Sequence, residues 1–195
     1  ELEHRLSRTR EIMHGVFDQA KLNPRRIVFP EGEAGKIVRA AKILAEEGIC
    51  RPVLMGNEEK ITRLMAEFEV PADAVDIVDP TTDERREAYA EILTRIRWRN
   101  GVTLDNARKL MRDPVYYGHM MLQQKVADGL IAGLTMSYPE TIRPALQIHK
   151  TRDGIHRAAG IYLLLFEDRM LFIADTTVNQ DPDAKELAEI AENDQ

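Results

Sequence analysis

The residues with the clearest capacity for chemistry lie between Gly133 and Arg143. A strand-like segment runs out at Gly133, Thr135 and Ser137 offer hydroxyls, and a helix opening around Pro139 and Glu140 carries Arg143 near its start. Backbone N–H groups at a helix N-terminus favour negative charge, hydroxyls donate hydrogen bonds, and a guanidinium grips phosphate through two parallel bonds. The group is therefore a candidate anion site, although a plain strand-to-helix turn with a surface arginine has the same spacing. Arg95, Arg97 and Arg99 cluster at the end of another predicted helix, where positive charge also offsets the macrodipole without any ligand. Arg97 matters only if the fold brings it to Arg143. Pro30-Glu31-Gly32-Glu33 follows a strand, where ligands of open α/β sheets collect. Acidic residues ahead of a helix complement its dipole and a glycine permits the turn, and this plainer account is the favoured one.

Other chemistries are excluded by what is missing. The five histidines, His4, His14, His119, His149 and His156, show no metal-type spacing. Cys50 is the sole cysteine, which leaves no thiolate cage and no intrachain disulfide and points to a reducing, cytoplasmic compartment. There is no nucleophile elbow, P-loop or dinucleotide fingerprint, since Gly32-Glu33-Ala34-Gly35 lacks the spacing. A formal net charge of -6 gives no footprint for nucleic acid, while two local arginines still suffice for a small phosphate. The longest apolar run, Ala158 to Phe166, is far shorter than the ~20 residues of a membrane span. The charged start Glu1-Leu2-Glu3-His4-Arg5 does not read as a signal peptide.

The elements that must position these residues alternate. Leu2, Leu6, Met13, Val16, Phe17 and Ala20 recur at helical spacing up to Asn23-Pro24. Strands are predicted at Arg26–Phe29, Pro52–Met55 and Val75–Val78, separated by one helix that ends at Gly48 and a second capped by Asn57. Helices follow over Asp83–Arg99 and Thr103–Leu110, and a third starts at Asp113-Pro114. Leu130-Ile131-Ala132 reads as a buried strand leading into the Gly133–Ser137 loop. Such alternation predicts an α/β fold, a three-layer αβα arrangement with a mainly parallel sheet. From Ala158 the pattern changes to a β-hairpin, Ala158–Phe166 with Met170–Asp175, and a last helix, Pro182–Ala191. Two subdomains are expected: residues 1–150, including the N-terminal helix, and 151–195, the incomplete start of a second, with a boundary at Lys150–Asp153.

Several motifs, in order along nearly the whole chain, resemble phosphotransacetylases: Phe29-Pro30-Glu31-Gly32-Glu33, Arg112-Asp113-Pro114, Asp128 to Gly133, Thr141 to Ile148 and Phe172 to Asn179. Ser137 to Pro144 and Ala174 to Asn179 are most similar to the C-terminal phosphotransacetylase-like domain of large bacterial NADP-dependent malic enzymes. The resemblance implies an isocitrate-dehydrogenase-like fold and a site for acetyl-CoA or phosphate. Arg143 would grip the phosphate or acetyl-phosphate end and Arg97 the coenzyme A side. With Thr135 and Ser137 these form the expected ligand-binding set. The family's catalytic serine, arginine and aspartate match no position here, so no catalytic residue is assigned. Where the transferases carry small hydroxyl residues before the arginine, this chain has Tyr138 and Glu140. Tyr138 would crowd the pocket, and an inward Glu140 would repel phosphate.

The expectation drawn is a regulatory domain. It binds acetyl-CoA as effector and sets the activity of a malic-enzyme domain on the same full-length chain, which would hold NADP and a divalent metal. Such regulation implies a homo-oligomer. The alternatives are an active phosphate acetyltransferase, with acetyl-CoA as substrate, and an oligomerisation scaffold.

Overall fold

The computed structural model describes residues 2–149, 158–166, 169–175, 177–179 and 181–192. The chain divides into two compact units, Gln19–His149, and Glu1–Asp18 with Lys150–Gln195. Most of the N-terminal helix, α1 (Leu2–Leu22), thus groups with the C-terminal segment and not with the first unit. The expected boundary at 150–153 lies outside the described residues.

The first unit runs β1 (Arg25–Phe29), α2 (Gly35–Glu46), β2 (Cys50–Met55), α3 (Glu58–Glu67), β3 (Asp76–Val78) and α4 (Arg86–Arg97). A 3-10 turn at Trp98–Asn100 follows, then α5 (Leu104–Leu110), α6 (Pro114–Gln123), β4 (Gly129–Leu130) and α7 (Tyr138–Ile148). The sheet order is β3-β2-β1-β4 and every pair is parallel. Because successive strand residues point to opposite faces, Val28, Val53 and Met55 pack with Tyr117, Met120, Met121 and Ile148 under α6 and α7. Phe29 and Leu54 pack on the other face with Val38 and Ala41 of α2 and Ile61 and Met65 of α3. The fold is therefore the predicted α/β class, with helices on both faces of a parallel sheet.

Local chemistry starts the helices where the sequence indicates. Asn57 accepts from the Lys60 N–H at 3.1 Å, Thr103 from Asn106 at 3.3 Å, and Asp113 from Val115 and Tyr116 at 2.8 and 3.1 Å. One strand departs from expectation. The predicted buried strand at Leu130–Ala132 is only Gly129–Leu130, and Ile131 is 56% exposed. Within this sheet β4 is paired on one side alone, with β1, and its chain leaves the ladder for the loop at Gly133.

The second unit contains the predicted hairpin, β5 (Ile161–Leu165) antiparallel to β6 (Met170–Ala174), and α8 (Ala184–Glu192). Its apolar side chains, among them Tyr162, Leu163 and Phe172, stay exposed. Asp175 closes the turn after β6 by accepting from the N–H groups of Gly160, Val178 and Asn179. Burial pushes its carboxyl up, but these bonds outweigh that and hold it well below the usual range.

Helices α6 and α7 are also joined by a histidine pair. His119 is 7% exposed and its Nδ1 lies 3.1 Å from Nε2 of His149. Burial, with the neighbouring ring adding to it, lowers His119 from 6.5 to about 4. The unfolded chain therefore binds protons that the folded chain refuses, and stability present above pH 6.5 should be lost progressively as pH falls toward about 4. Melting temperature measured against pH should show this slope, and His119→Asn, which keeps an acceptor toward His149, should flatten it.

Candidate functional site

In this strand order the connections diverge between β1 and β4: the helix after β1 packs on one face and the helix after β4 on the other. The crevice outside the carboxyl ends of such strands is where open α/β sheets bind ligands. Glu31 sits in it, 7% exposed. Its carboxylate accepts from the N–H groups of Gly133 at 2.9 Å and Leu134 at 3.0 Å, from the Thr135 N–H, and from the Thr135 hydroxyl at 2.6 Å. Burial pushes this carboxyl up, but the Thr135 hydroxyl and the three N–H groups together bring it below the ordinary value. Gly133 takes φ +113° to aim these donors inward, a conformation that side chains rarely adopt. The loop predicted to hold an external anion thus wraps an anion of the chain itself.

Glu33 is also structural. It accepts from the Asn57 N–H and from Lys60 Nζ, each at 2.9 Å, so it serves the start of α3. The first turn of α2 carries no acidic residue. The plainer account had these carboxylates complement the helix that follows; their bonds instead go to the Gly133–Thr135 loop and to the start of α3. Gly32 lets the loop lie on β2: its N–H donates to the Met55 carbonyl at 3.1 Å, and a Cβ there would meet Met55 backbone at 2.7 Å.

A cleft of ≈ 310 Å³ opens along this edge, lined by Pro30, Glu31, Met55, Pro114, Thr135 and Met136 among others. A recess of ≈ 170 Å³ shares Glu33, Gly56 and Pro114 with it and reaches Asp79, Thr81 and Arg112. A larger hollow of ≈ 500 Å³ lies by Arg26, Arg51 and Asp76. It is at the opposite, amino-terminal edge of the strands, so the carboxyl-edge cleft is the better candidate. Among the described residues no cluster of metal-ligating side chains occurs, and no helix is long and apolar enough to cross a membrane.

The predicted ligand residues separate into two groups. The Thr135 hydroxyl is engaged by Glu31, and the Ser137 hydroxyl donates to Glu140 at 2.7 Å. Glu140 also accepts from the Ser137 N–H at 2.7 Å. Its carboxylate is thus turned back on the start of α7, as in a capping box. Arg97 and Arg143, by contrast, both act electrostatically on one phenol. Helix α4 packs on both α6 and α7. Tyr116 of α6 is half-buried, and its hydroxyl donates to Gln147 Oε1 at 2.7 Å. Burial and the Asp113 carboxylate push this phenol up, while the guanidiniums of Arg143 and Arg97 pull it down. The phenol stays protonated at neutral pH. Among the described residues neither arginine is paired with a carboxylate, and Arg97 Nε is buried without a hydrogen-bond partner.

An open parallel sheet with a cleft at the carboxyl edge of its strands, where the connections diverge, defines an α/β protein of the open-sheet class. Residues 11–194 match the family described as phosphate acetyl/butaryl transferase, and the chain belongs to it. It is 39% identical over 181 residues to a phosphate acetyltransferase of Synechocystis, covering 92% of this chain and 26% of that protein. With the phosphate acetyltransferase of Clostridium acetobutylicum it shares 32% over 187 residues, 93% of this chain and 56% of the relative. The crystal structure of a phosphotransacetylase from Streptococcus pyogenes superposes with a TM-score of 0.88 at 35% identity, covering 93% of this chain and 56% of that one. The chain therefore spans about half, or a quarter, of the relatives it matches.

Sequence inspection missed Tyr116, Gln147 and the partner of Glu31. Gln147 had a readable signal, since it stands four residues after Arg143 and so on the same helix face. Glu31 to Gly133 spans 102 positions, which no local pattern conveys. Glu31→Gln sets an amide NH₂ against donors that need an acceptor. It should lower unfolding free energy by about 2–3 kcal/mol in urea denaturation, whereas Thr135→Val should cost about half of that.

Proposed function

We propose that this chain supplies the part of a phosphate acetyltransferase that binds coenzyme A and phosphate. The observation that carries this reading is the family match over residues 11–194, beside which Arg97 Nε lies buried without a partner at the end of α4, a helix packed on the Arg143-bearing α7. Both substrates bear phosphate, which a guanidinium binds through two parallel hydrogen bonds. In the reaction a phosphate oxygen attacks the thioester carbonyl carbon, the carbon–sulfur bond breaks, and the thiol leaves with a proton as acetyl phosphate forms. The groups that would activate these atoms are assigned to no residue of this chain. Its residues bind and orient, with acetyl-CoA as substrate. The relatives named phosphate acetyltransferase support this reading over a regulatory domain.

Tyr138 and Glu140 favour the second reading, in which acetyl-CoA is an effector of an attached NADP-dependent malic enzyme within a homo-oligomer. NADP and metal would then belong to that other domain. The engagement of Glu140 by Ser137 weakens this case, because the carboxylate already has partners inside its own helix turn.

Thioester formation from acetyl phosphate and coenzyme A by the full-length gene product tests the choice. The transferase reading expects turnover, with Arg143→Ala lowering kcat/KM roughly 10- to 100-fold. Absence of thioester together with malate-dependent NADP reduction that responds to acetyl-CoA would establish the second reading.

A further inference from the structure

The polar side chains on the wall of the carboxyl-edge cleft, Glu31, Glu33 and Thr135, are each spent inside the chain. Glu31 is wrapped by the Gly133–Thr135 loop, the Thr135 hydroxyl donates to it at 2.6 Å, and Glu33 accepts from the Asn57 N–H and Lys60 Nζ at 2.9 Å each. The Gly56 N–H is likewise taken, by the Val78 carbonyl at 3.1 Å. What remains to face the cleft is aliphatic: Pro30, Ala34, Met55, Pro114 and Met136. Two carboxylates on the same wall repel a phosphate, and Arg112 lines the adjoining recess and not the cleft. The amides of a coenzyme A arm would lose their water there without gaining partners from these spent side chains. A short apolar group meets neither obstacle.

We propose that this cleft is the acyl-chain subsite of the protein, open to chains longer than acetyl, with Ala34 and Met136 setting the length it admits. The proposal rests on the transferase reading, because acyl phosphate and acyl-CoA carry the same chain and it is the apolar part that both share. Size argues for the longer chain. The ≈ 310 Å³ of the cleft far exceeds the single methyl that an acetyl group brings, and stands at the lower end of the ~300–1,000 Å³ of pockets that enclose whole small ligands. The description of the family also names a second acyl group beside acetyl. Ala34 stands just ahead of α2 in extended backbone, φ -90° and ψ 122°, which accepts a larger side chain without strain. Met136 is half-buried, and its unbranched thioether adapts its shape to the group it meets.

Thiol release from acetyl-CoA and from butyryl-CoA by the full-length gene product, with inorganic phosphate present, reads the subsite as a ratio of kcat/KM values. That ratio does not depend on how much of a variant is folded. The wild type should use butyryl-CoA with a kcat/KM within about tenfold of that for acetyl-CoA. Ala34→Leu, which fills the cleft, should lower the butyryl-to-acetyl ratio roughly tenfold, the worth of two buried methylenes, and leave acetyl-CoA turnover within about twofold. Met136→Gln keeps the length of the side chain but sets an amide against the acyl chain; it should lower the ratio roughly fivefold, and it decides alone if Ala34→Leu does not fold. A wild type that turns over acetyl-CoA alone, or a ratio unmoved in the variants, would overturn the subsite and leave the transferase reading standing. An equal fall for both thioesters would assign the cleft to the pantetheine arm they share and overturn the proposal as well. No turnover of either thioester by the wild type would overturn the transferase reading, and the proposal with it.

Discussion

Strands β1 and β4 lie side by side although 102 positions separate Glu31 from Gly133, and the Glu31 carboxylate ties their outgoing loops together. With β4 only two residues long, backbone pairing alone holds this edge weakly. Four donors converging on one buried anion supply what the short ladder does not. The same loop leads directly into α7, so the direction in which that helix starts, and with it the place of Arg143, depends on this contact. Gly133 and Gly32 are the backbone conditions for it, one by its positive φ and the other by its approach to β2.

The charges of the first unit divide by role. Glu31 and Glu33 are satisfied by loop and helix backbone, and Asp83 by Arg85 and the Tyr117 hydroxyl, the Arg85 contacts first in holding its carboxyl down to about 2. These carboxylates serve the fold. Around Tyr116 the charges are mixed: Arg143 and Arg97 act on the phenol against Asp113, and Arg143 also acts on the Glu140 carboxylate. Overall charge therefore excludes a polyanion surface and says little about a single phosphate pocket.

Much of the architecture was legible because its causes are local. Alternation of short apolar runs with helical periods gives an α/β sheet, and Asn57, Thr103 and Asp113 cap helices for reasons contained within three residues of each. The resemblance of motifs along the chain pointed to the family that residues 11–194 match. The short β4 was not legible, because Leu130-Ile131-Ala132 has the composition of a buried strand whether or not the sheet continues beyond it.

The sequence by itself determined which residue types were available for anion binding and the order of the elements carrying them. Only the tertiary structure decided how they are used. Arg97 and Arg143 stand on different helices, and that both act on Tyr116 follows from the packing of α4 on α6 and α7. Thr135 and Ser137 instead find carboxylates inside the chain. Periodicity reports the face of an element, whereas the partner of a polar group depends on which elements become neighbours in space, and for Glu31 that neighbour lies at the far end of the unit.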